Sequence, residues 1–462
     1  MMTALFLFTA TCALAEAPNG NPPGDPPSGD IGGGPGGTPP DGAGGGFGGN
    51  TAPGGSTSSF EYIAATEITE AAEQADGIYN TDTADESALI VNTADEVTLI
   101  NPTVTKTGDS DGSDNCNFYG LNAALLVMGG STTTIQGGTI TSDADGANGV
   151  FSYGGNGGQN GAAGDGTTVY IADTTIITTG DGSGGIMTTG GGITYATNLT
   201  VETSGRSSAA IRTDRGGGIV VVEGGNYTSN GLGSPAIYST ASITVRDAVL
   251  TSNLSEGVCI EGMNSIALEN CDLTANNTQC NGNATFLDTI MIYQSMSGDA
   301  DSGTSSFTMT GGSLTSRNGH MFHVTNTHAV ITLSGVDLVN KDEENILLSV
   351  CDDGWSGASN IAELIADGQV LTGAILVGDN STLTLTLSND SAFTGTVSGE
   401  ITNSKGDVIS SSVGSVTVIL DESSTWTLTA DTYITSFSGN AGKVNSNGYT
   451  LYVNGIALEG TK

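Results

Sequence analysis

The sequence predicts an all-β protein, a right-handed parallel β-helix with coils of about 23 residues, and two observations support this prediction. The first is a repeated unit: a small or polar pair, then Thr or Asp, an aliphatic residue, and Thr or Ser. The unit recurs at steps near 23 residues that lengthen only at insertions, as from Leu250 to Leu273. A repeat of this length indicates a solenoid, because a single coil cannot bury its own apolar residues.

The second observation is the composition, in which 71 glycines and abundant Thr, Ser and Asn outnumber the helix-forming residues. Such a chain favours short strands joined by tight turns. Strands of neighbouring coils pair in parallel at ~4.8 Å, so equivalent aliphatic residues stack inside the solenoid. An antiparallel sandwich would not give a constant step. We expect one interior column made by Ile140, Ile176, Leu199, Leu250 and Leu273.

The N-terminal segment, residues 1–15, has the pattern of a signal peptide. Leu5–Leu14 is apolar, and Ala13-Leu14-Ala15 is a small-x-small cleavage site. Lipid attachment at Cys12 is a less favoured alternative, because Thr9-Ala10-Thr11 matches a lipoprotein signal poorly. No later stretch approaches the ~20 apolar residues of a membrane span. We therefore expect an exported protein without a transmembrane segment, either secreted or at the cell surface.

Composition also divides the rest of the chain. Residues 16–58 are rich in Pro and Gly and are predicted to be a disordered linker. The parallel β-helix is expected over 59–373, and 374–462 are expected to form the final coils and a C-terminal cap of the same β-helix. A short amphipathic helix over Ala64–Ala75 is predicted to cover the first coil, whose strand edges would otherwise be unpaired.

The charge limits the partners. With 49 acidic and 10 basic residues, the net charge of −39 repels nucleic acids and anionic membranes. Polyanionic polysaccharides would need bridging divalent cations. After signal cleavage five cysteines remain, which allows at most two disulfides and leaves one thiol, and no CxxC pair indicates zinc. Cys259 and Cys271 occupy apolar strand positions and are expected to pack as small buried residues.

Three segments interrupt the repeat and are expected along one edge of the solenoid: Gly154–Gly166, Ser295–Ser305 and the corner Arg212–Gly216. Loops on a rigid solenoid often bind ligands, although tolerated surface decoration is the alternative. The predicted binding residues are Arg212, Asp214 and Arg215, with Tyr119, Tyr153 and Tyr293 as exposed stacking platforms.

Another corner has acidic turns with the spacing DxDGx(D/N), and Gly180-Asp181-Gly182 follows in the next coil. Alternate oxygen ligands around a Gly turn suit Ca²⁺, although neither loop continues into an EF-hand. Plain solvated turns are the alternative. The predicted calcium ligands are Asp109, Asp111, Asp114, Asp143, Asp145 and Asn148.

No complete catalytic site is present in the sequence, and no catalytic residue is predicted. His320 and His323 lie three apart on a predicted strand and would point to opposite faces. These two and His328 are expected at exposed positions. Asp352-Asp353 is an isolated acidic pair, and paired acids need a defined separation across one face to hydrolyse a glycoside.

Taken together, the coils from about Ala88 to Gly373, the N-terminal leader and the segment Met291–Asp299 resemble the pectin-lyase-like β-helix superfamily. The chain looks similar to secreted and surface β-helix proteins of anaerobic gut bacteria. The resemblance implies carbohydrate as a ligand, with or without calcium, and repeat motifs specify fold better than function. Lyases of this fold use calcium-bound carboxylates and an Arg or Lys base. Arg212, Asp214 and Arg215 would imitate part of that set, or form a salt-bridged turn.

The expected function is therefore a non-enzymatic surface protein that binds a polysaccharide or a cell-surface glycan or protein, with possible help from calcium. A calcium-dependent polysaccharide lyase or a glycoside hydrolase is the first alternative. A structural spacer in the cell envelope is the second.

Overall fold

The computed structural model describes residues 61–110 and 114–462, which all belong to one unit of the chain, Gly45–Lys462. The predicted signal peptide (1–15), Cys12 and the predicted linker (16–58) lie outside the described residues. The described chain is an all-β parallel β-helix, as predicted, because strands of successive coils pair in parallel along it.

Three stacks of strands, named sheets A, B and C, run along the solenoid. Sheet A contains the first strand of each coil. Its thirteen strands are Ala64–Ile68, Ser87–Asn92, Leu125–Met128, Val150–Tyr153, Ile186–Thr189, Ile211–Thr213, Ile237–Ser239, Val258–Glu261, Asp288–Tyr293, His320–Thr325, Ile346–Val350, Ala374–Val377 and Val397–Ser398.

Sheets B and C are joined, because two long strands, Gly192–Thr203 and Gly218–Ser229, continue around the corner between them and form one 22-stranded sheet. The other strands of sheet B are Ala72–Ala75, Glu96–Ile100, Thr132–Gln136, Thr168–Ala172, Ser242–Arg246, Ser265–Glu269, Thr304–Thr310, His328–Ser334, Asn360–Asp367, Ser381–Ser388, Ser415–Leu420 and Ser436–Ser438. Those of sheet C are Ile78–Thr81, Thr103–Lys106, Thr139–Ser142, Thr175–Thr178, Val249–Ser252, Asp272–Ala275, Ser313–Ser316 and Asp337–Asn340.

Smaller elements complete the described chain. A four-stranded parallel sheet contains Val370–Thr372, Ala392–Gly395, Thr425–Leu428 and Val444–Asn445. Glu400–Thr402 and Val408–Ser411 form an antiparallel pair, and the last three strands are Thr432–Ile434, Leu451–Val453 and Ile456–Ala457. One α-helix, Asp114–Tyr119, and one 3₁₀ helix, Ala441–Lys443, interrupt the strands.

The corner between sheets B and C explains the small or polar pair in the repeat. Each coil turns there through a residue with positive φ, such as Gly137 (69°), Asp173 (51°) or Asn198 (52°). Only Gly, Asn and Asp adopt this left-handed conformation readily. The Asn198 side-chain amide also donates to Asp173 Oδ1 at 2.7 Å, which links neighbouring coils.

The predicted interior column is correct except at one coil. Ile140 pairs with Ile176, and Leu250 with Leu273, as expected. The partner of Ile176, however, is Val201 rather than Leu199. Leu199 is buried two residues earlier, directly after the corner residue Asn198, and the position in register with Ile176 follows the corner by three residues in both coils.

The helix predicted over Ala64–Ala75 is wrong. This segment forms the strands Ala64–Ile68 and Ala72–Ala75, whose residues alternate in exposure. Ala64 pairs with Ser87 and Ala72 with Val97 in the next coil. Pairing with that coil satisfies the backbone and overrides a weak local helix propensity.

Disulfides do not hold the described residues together. Cys259, Cys271, Cys280 and Cys351 are free thiols in this part of the chain. Cys259 and Cys271 are buried, as their apolar positions predicted.

Candidate functional site

The three loops predicted to share an edge meet over the outer face of sheet A. Arg215 Nε donates to Asp299 Oδ1 at 2.9 Å, which joins the Arg212–Gly216 corner to the Ser295–Ser305 loop. Asn160 of the Gly154–Gly166 loop accepts from the Gly216 amide at 3.1 Å. The outward side chains of sheet A are buried beneath these loops, and every residue of Val150–Tyr153 and Asp288–Tyr293 is buried.

Arg212 and Asp214 form a buried ion pair in this covered face. Arg212 Nη2 lies 2.6 Å from Asp214 Oδ2, and the two residues are only 5% and 3% exposed. Burial raises the pKa of Asp214 despite the opposing effect of the Arg212 charge. The predicted lyase-like trio is therefore the salt-bridged turn, and Arg212 cannot contact a polymer in this conformation.

A carboxylate that the sequence did not single out, Glu261, lies at the centre of the same face. Its Oε2 accepts hydrogen bonds from the hydroxyls of Tyr238 at 2.5 Å and Tyr293 at 3.1 Å, and Ser295 donates to Oε1. Burial raises the pKa of Glu261. The alternation of the strand, with Ile260 in the core, is the signal that places Glu261 outward.

The expected exposure of Tyr153 and Tyr293 is wrong, because outward positions of sheet A are covered by loops. Tyr293 is buried against Trp355, with ring centroids 4.8 Å apart. Tyr153 is buried beneath Tyr119, which is itself only partly exposed, at 5.9 Å. None of these three tyrosines is a freely exposed stacking platform.

The prediction for His320 and His323 is also wrong. Both are buried, and Nδ1 of each ring lies within hydrogen-bond distance of Ser349 Oγ, at 2.7 and 2.8 Å. His320 begins its strand, where alternation does not yet fix the side-chain direction. His323 Nε2 lies 3.4 Å from Asp353, so Ser349, His323 and Asp353 follow the order of a nucleophilic triad. Ser349 and His323 are fully buried, and no substrate can reach them.

The third histidine lies on another face. His328 is partly exposed on sheet B, where its Nε2 is 2.9 Å from Glu363. It does not join the other two histidines, and within residues 61–110 and 114–462 no three His, Cys, Asp or Glu side chains form a group suited to a metal ion.

The acidic turns form a ladder along the solenoid. Asp109 Oδ1 accepts from the Asp145 amide at 2.9 Å, and Asp145 Oδ1 accepts from the Asp181 amide at 2.8 Å. Asn148 is buried and accepts from the Gly184 amide at 2.8 Å. Asp143 accepts from the Thr179 hydroxyl, and Asp114 begins the α-helix. Asp111 lies outside the described residues. The ladder shows these side chains bridging coils, and calcium at these turns stays a prediction.

We expect Asp145→Ala to lower the free energy of unfolding by about 1 kcal/mol in EGTA, because one exposed side-chain hydrogen bond between coils is lost. Chemical denaturation in EGTA and in CaCl₂ measures this, with the exposed Asp337→Ala as control. A calcium-dependent stabilisation of the wild type that Asp145→Ala lacks would establish the calcium site. If the wild type is equally stable in EGTA and in CaCl₂, the prediction of a calcium site at these turns is contradicted.

A different pair of tyrosines is exposed on the outer face of sheet B. Tyr170 and Tyr195 are 45% and 38% exposed, and their rings stack with centroids 5.0 Å apart and planes 9° from parallel. The sequence contained the signal for them: Tyr170 lies between the buried Val169 and Ile171, so strand alternation directs it outward.

The two tyrosines belong to one outward column of sheet B. Strand register places Thr134 next to Tyr170 and Val221 next to Tyr195. The column also contains the threonines Thr98, Thr134, Thr244, Thr308, Thr332 and Thr386, and the apolar residues Val221, Ala267, Ile365 and Ile419 interrupt it. We call this surface the sheet B column. It is a strip of threonines and apolar residues with an exposed aromatic pair.

The fold and this surface define the chain as a parallel β-helix protein with a covered sheet A and an open sheet B. Comparisons with protein-family models, curated proteins and solved structures found no match. Among the described residues, no helix is long and apolar enough to cross a membrane.

Proposed function

We propose that this protein is an exported surface or secreted β-helix that binds a neutral polysaccharide along the sheet B column without cleaving it. The observation that supports this proposal is the exposed, stacked pair Tyr170–Tyr195 in a column that also contains six threonines. Exposed aromatic rings provide rigid apolar surface for the C–H faces of sugars, and their hydroxyls remain available for hydrogen bonds. Repeated hydroxyls at the strand spacing suit a repeated ligand.

The charge favours a neutral chain over a uronate polymer. The net charge of −39 repels a polyanion, and Arg246 on the same sheet is already paired with Glu223 and Glu269. A glycan bound by stacking and hydroxyl contacts avoids this repulsion. We also propose that the protein is related to the pectin-lyase-like proteins. The stacked parallel sheets of the described residues support this relationship.

Tyr170→Ala combined with Tyr195→Ala is expected to weaken polysaccharide binding about tenfold or more, because each ring contributes about 1 kcal/mol of stacking. Affinity electrophoresis and calorimetry with neutral glucan, xylan and mannan chains measure the loss. Tyr433→Ala is the matched control, since Tyr433 is 49% exposed and stacks on Tyr452 at the other end of the chain.

Three outcomes would contradict the proposal, and each points elsewhere. If the polysaccharide retains the double variant as strongly as the wild type, the binding surface lies elsewhere on the protein. Unsaturated or reducing-end product, measured with polygalacturonate included, would establish an enzyme. No retention of the wild type by any glycan would favour the spacer.

A further inference from the structure

A small pocket opens in the outer face of sheet A, apart from the sheet B column. It has a volume of about 30 Å³, and Tyr238, Tyr293, Trp355, Met291 and Glu256 are among its lining residues. A cavity needs roughly 10–15 Å³ to hold one water. The pocket therefore has room for a small head group but not for a sugar ring.

Glu256 lines this pocket, and a second buried carboxyl group, that of Asp288, lies in the next coil. Val258 pairs with Ile290, so Glu256 and Asp288, two residues earlier, occupy equivalent positions of neighbouring coils about 4.8 Å apart. Both are buried, and neither forms an ion pair with any of the described residues. Burial raises the pKa of Glu256 and of Asp288, and the Glu256 charge raises the pKa of Asp288 further.

The histidine next to this pair does not compensate the charge. His320 pairs with Asp288 in the next coil. Burial lowers the pKa of His320 to about 3, so its ring is neutral at physiological pH. The Glu256–Asp288 pair thus has no counter-ion from this neighbour.

Unused acceptors lie around the pair. Asp288 Oδ1, Asn277 Oδ1 and Thr289 Oγ1 are buried and have no hydrogen-bond partner within the described chain. The Asn277 side chain lies beside Glu256. Buried polar atoms are nearly always satisfied, and the carboxylate of Glu256, when it is ionised, requires a cationic donor in the pocket that it lines.

We propose that this pocket binds the ammonium group of an unbranched primary alkylamine, such as a lysine side chain. Glu256 is the anion at the floor, Asp288 adds negative potential from the next coil, and the rings of Tyr238, Tyr293 and Trp355 provide cation–π contacts. The alkyl stem leaves through the open mouth, past Trp355 and Met291.

An aromatic and thioether lining distinguishes this pocket from a calcium site. Ca²⁺ takes six to eight oxygen ligands, whereas an ammonium group makes three hydrogen bonds and tolerates apolar walls. The volume also excludes bulky head groups. We expect n-butylammonium to bind, and tetramethylammonium and neutral n-butanol not to bind.

Titration of the full-length protein with n-butylammonium chloride, followed by Trp355 fluorescence and calorimetry, tests the proposal. Glu256→Gln is expected to weaken binding at least tenfold, and Trp355→Phe to weaken it less while keeping saturation. The exposed Glu343→Gln is the control and is expected to leave affinity unchanged. Circular dichroism verifies that each variant is folded, and Trp355→Phe provides a second test if Glu256→Gln does not fold.

Three results would overturn the proposal. Equal affinity for n-butanol would mean that the pocket is only apolar. Saturable binding of Na⁺ or Ca²⁺ that is lost in Glu256→Gln, without amine binding, would make it a metal site. Amine binding that is unchanged in Glu256→Gln would place the ligand elsewhere. Polysaccharide binding to the sheet B column is unaffected by any of these results.

Discussion

Arg212→Met is expected to lower the free energy of unfolding by about 3–5 kcal/mol, because it leaves Asp214 buried without its partner. Arg212 donates to Asp214 Oδ2 at 2.6 Å and to the Ser207 carbonyl at 3.0 Å, and its guanidinium lies 5.5 Å over the Tyr238 ring. Met retains the apolar stem but none of these contacts. Equilibrium denaturation followed by circular dichroism measures the loss.

The chain provides a matched control on its open face. Arg246 also contacts two carboxylates, Glu223 and Glu269, but all three side chains are at least a third exposed. Exposed pairs contribute about 0–1 kcal/mol, so Arg246→Met is expected to cost no more than that. The loss in Arg212→Met should also be smaller at pH 5 than at pH 8, because Asp214 can then be protonated. Equal losses of unfolding free energy in Arg212→Met and Arg246→Met would show that the buried ion pair stabilises the fold no more than the exposed one.

Much of this fold could be predicted from the sequence, because a solenoid repeats one local solution. An aliphatic residue followed by Thr, as at Ile140, Leu250 and Leu273, marks the strands of sheet C, and the Gly, Asn or Asp before it marks the left-handed corner. Both signals are local. Because the repeat length is nearly constant, they also determine which residues of neighbouring coils are in contact.

At one coil the sequence prediction chose the wrong residue for the interior column. Leu199 resembles the other core residues of the repeat, yet Val201 takes the position in register with Ile176. The left-handed corner at Asn198 is the signal for this register, because Val201 follows it by three residues as Ile176 follows Asp173. The helix predicted over Ala64–Ala75 was wrong for a different reason. Pairing with the next coil, rather than local propensity, makes this segment form strands.

The candidate site was harder to predict, because burial of an outward side chain depends on distant loops. Alternation places Tyr153, Tyr293 and Glu261 outward in sheet A and Tyr170 outward in sheet B. The loop that covers Glu261 begins 34 residues later in the chain, at Ser295. The sequence predicted that the loops meet, but not that they cover the tyrosines intended as platforms.

Stability is expected to fall as the pH rises from 5 to 8, and this is the second large effect. Burial raises the pKa values of Asp214, Glu256, Glu261 and Asp288 above those of exposed carboxyls. Between the ordinary pKa near 4 and the raised values, the folded chain binds more protons than the unfolded chain. Each extra proton makes the free energy of unfolding fall by about 1.4 kcal/mol per pH unit.

Other carboxyls set the acidic limit of this trend. Hydrogen bonds from Asn198 and Gln136 lower the pKa of Asp173, and those from Ser424 and Asn389 lower the pKa of Asp421. Their stabilisation is present above the ordinary pKa and is lost as the pH falls through the lowered values. Maximum stability is therefore expected on the acidic side of neutrality, above pH 4.

Asp288→Asn isolates the cause of the trend. The amide has nearly the shape of the protonated carboxyl and cannot ionise, so the variant should match the wild type at pH 5 and exceed its stability at pH 8. Asp337→Asn, at an exposed position, should leave the slope unchanged. Thermal unfolding from pH 4 to 8 at fixed ionic strength measures both slopes, and fixed salt keeps the screening of the −39 charge constant. A wild type most stable at pH 8, or an unchanged slope in Asp288→Asn, would show that these carboxyls are ionised in the folded chain at little cost.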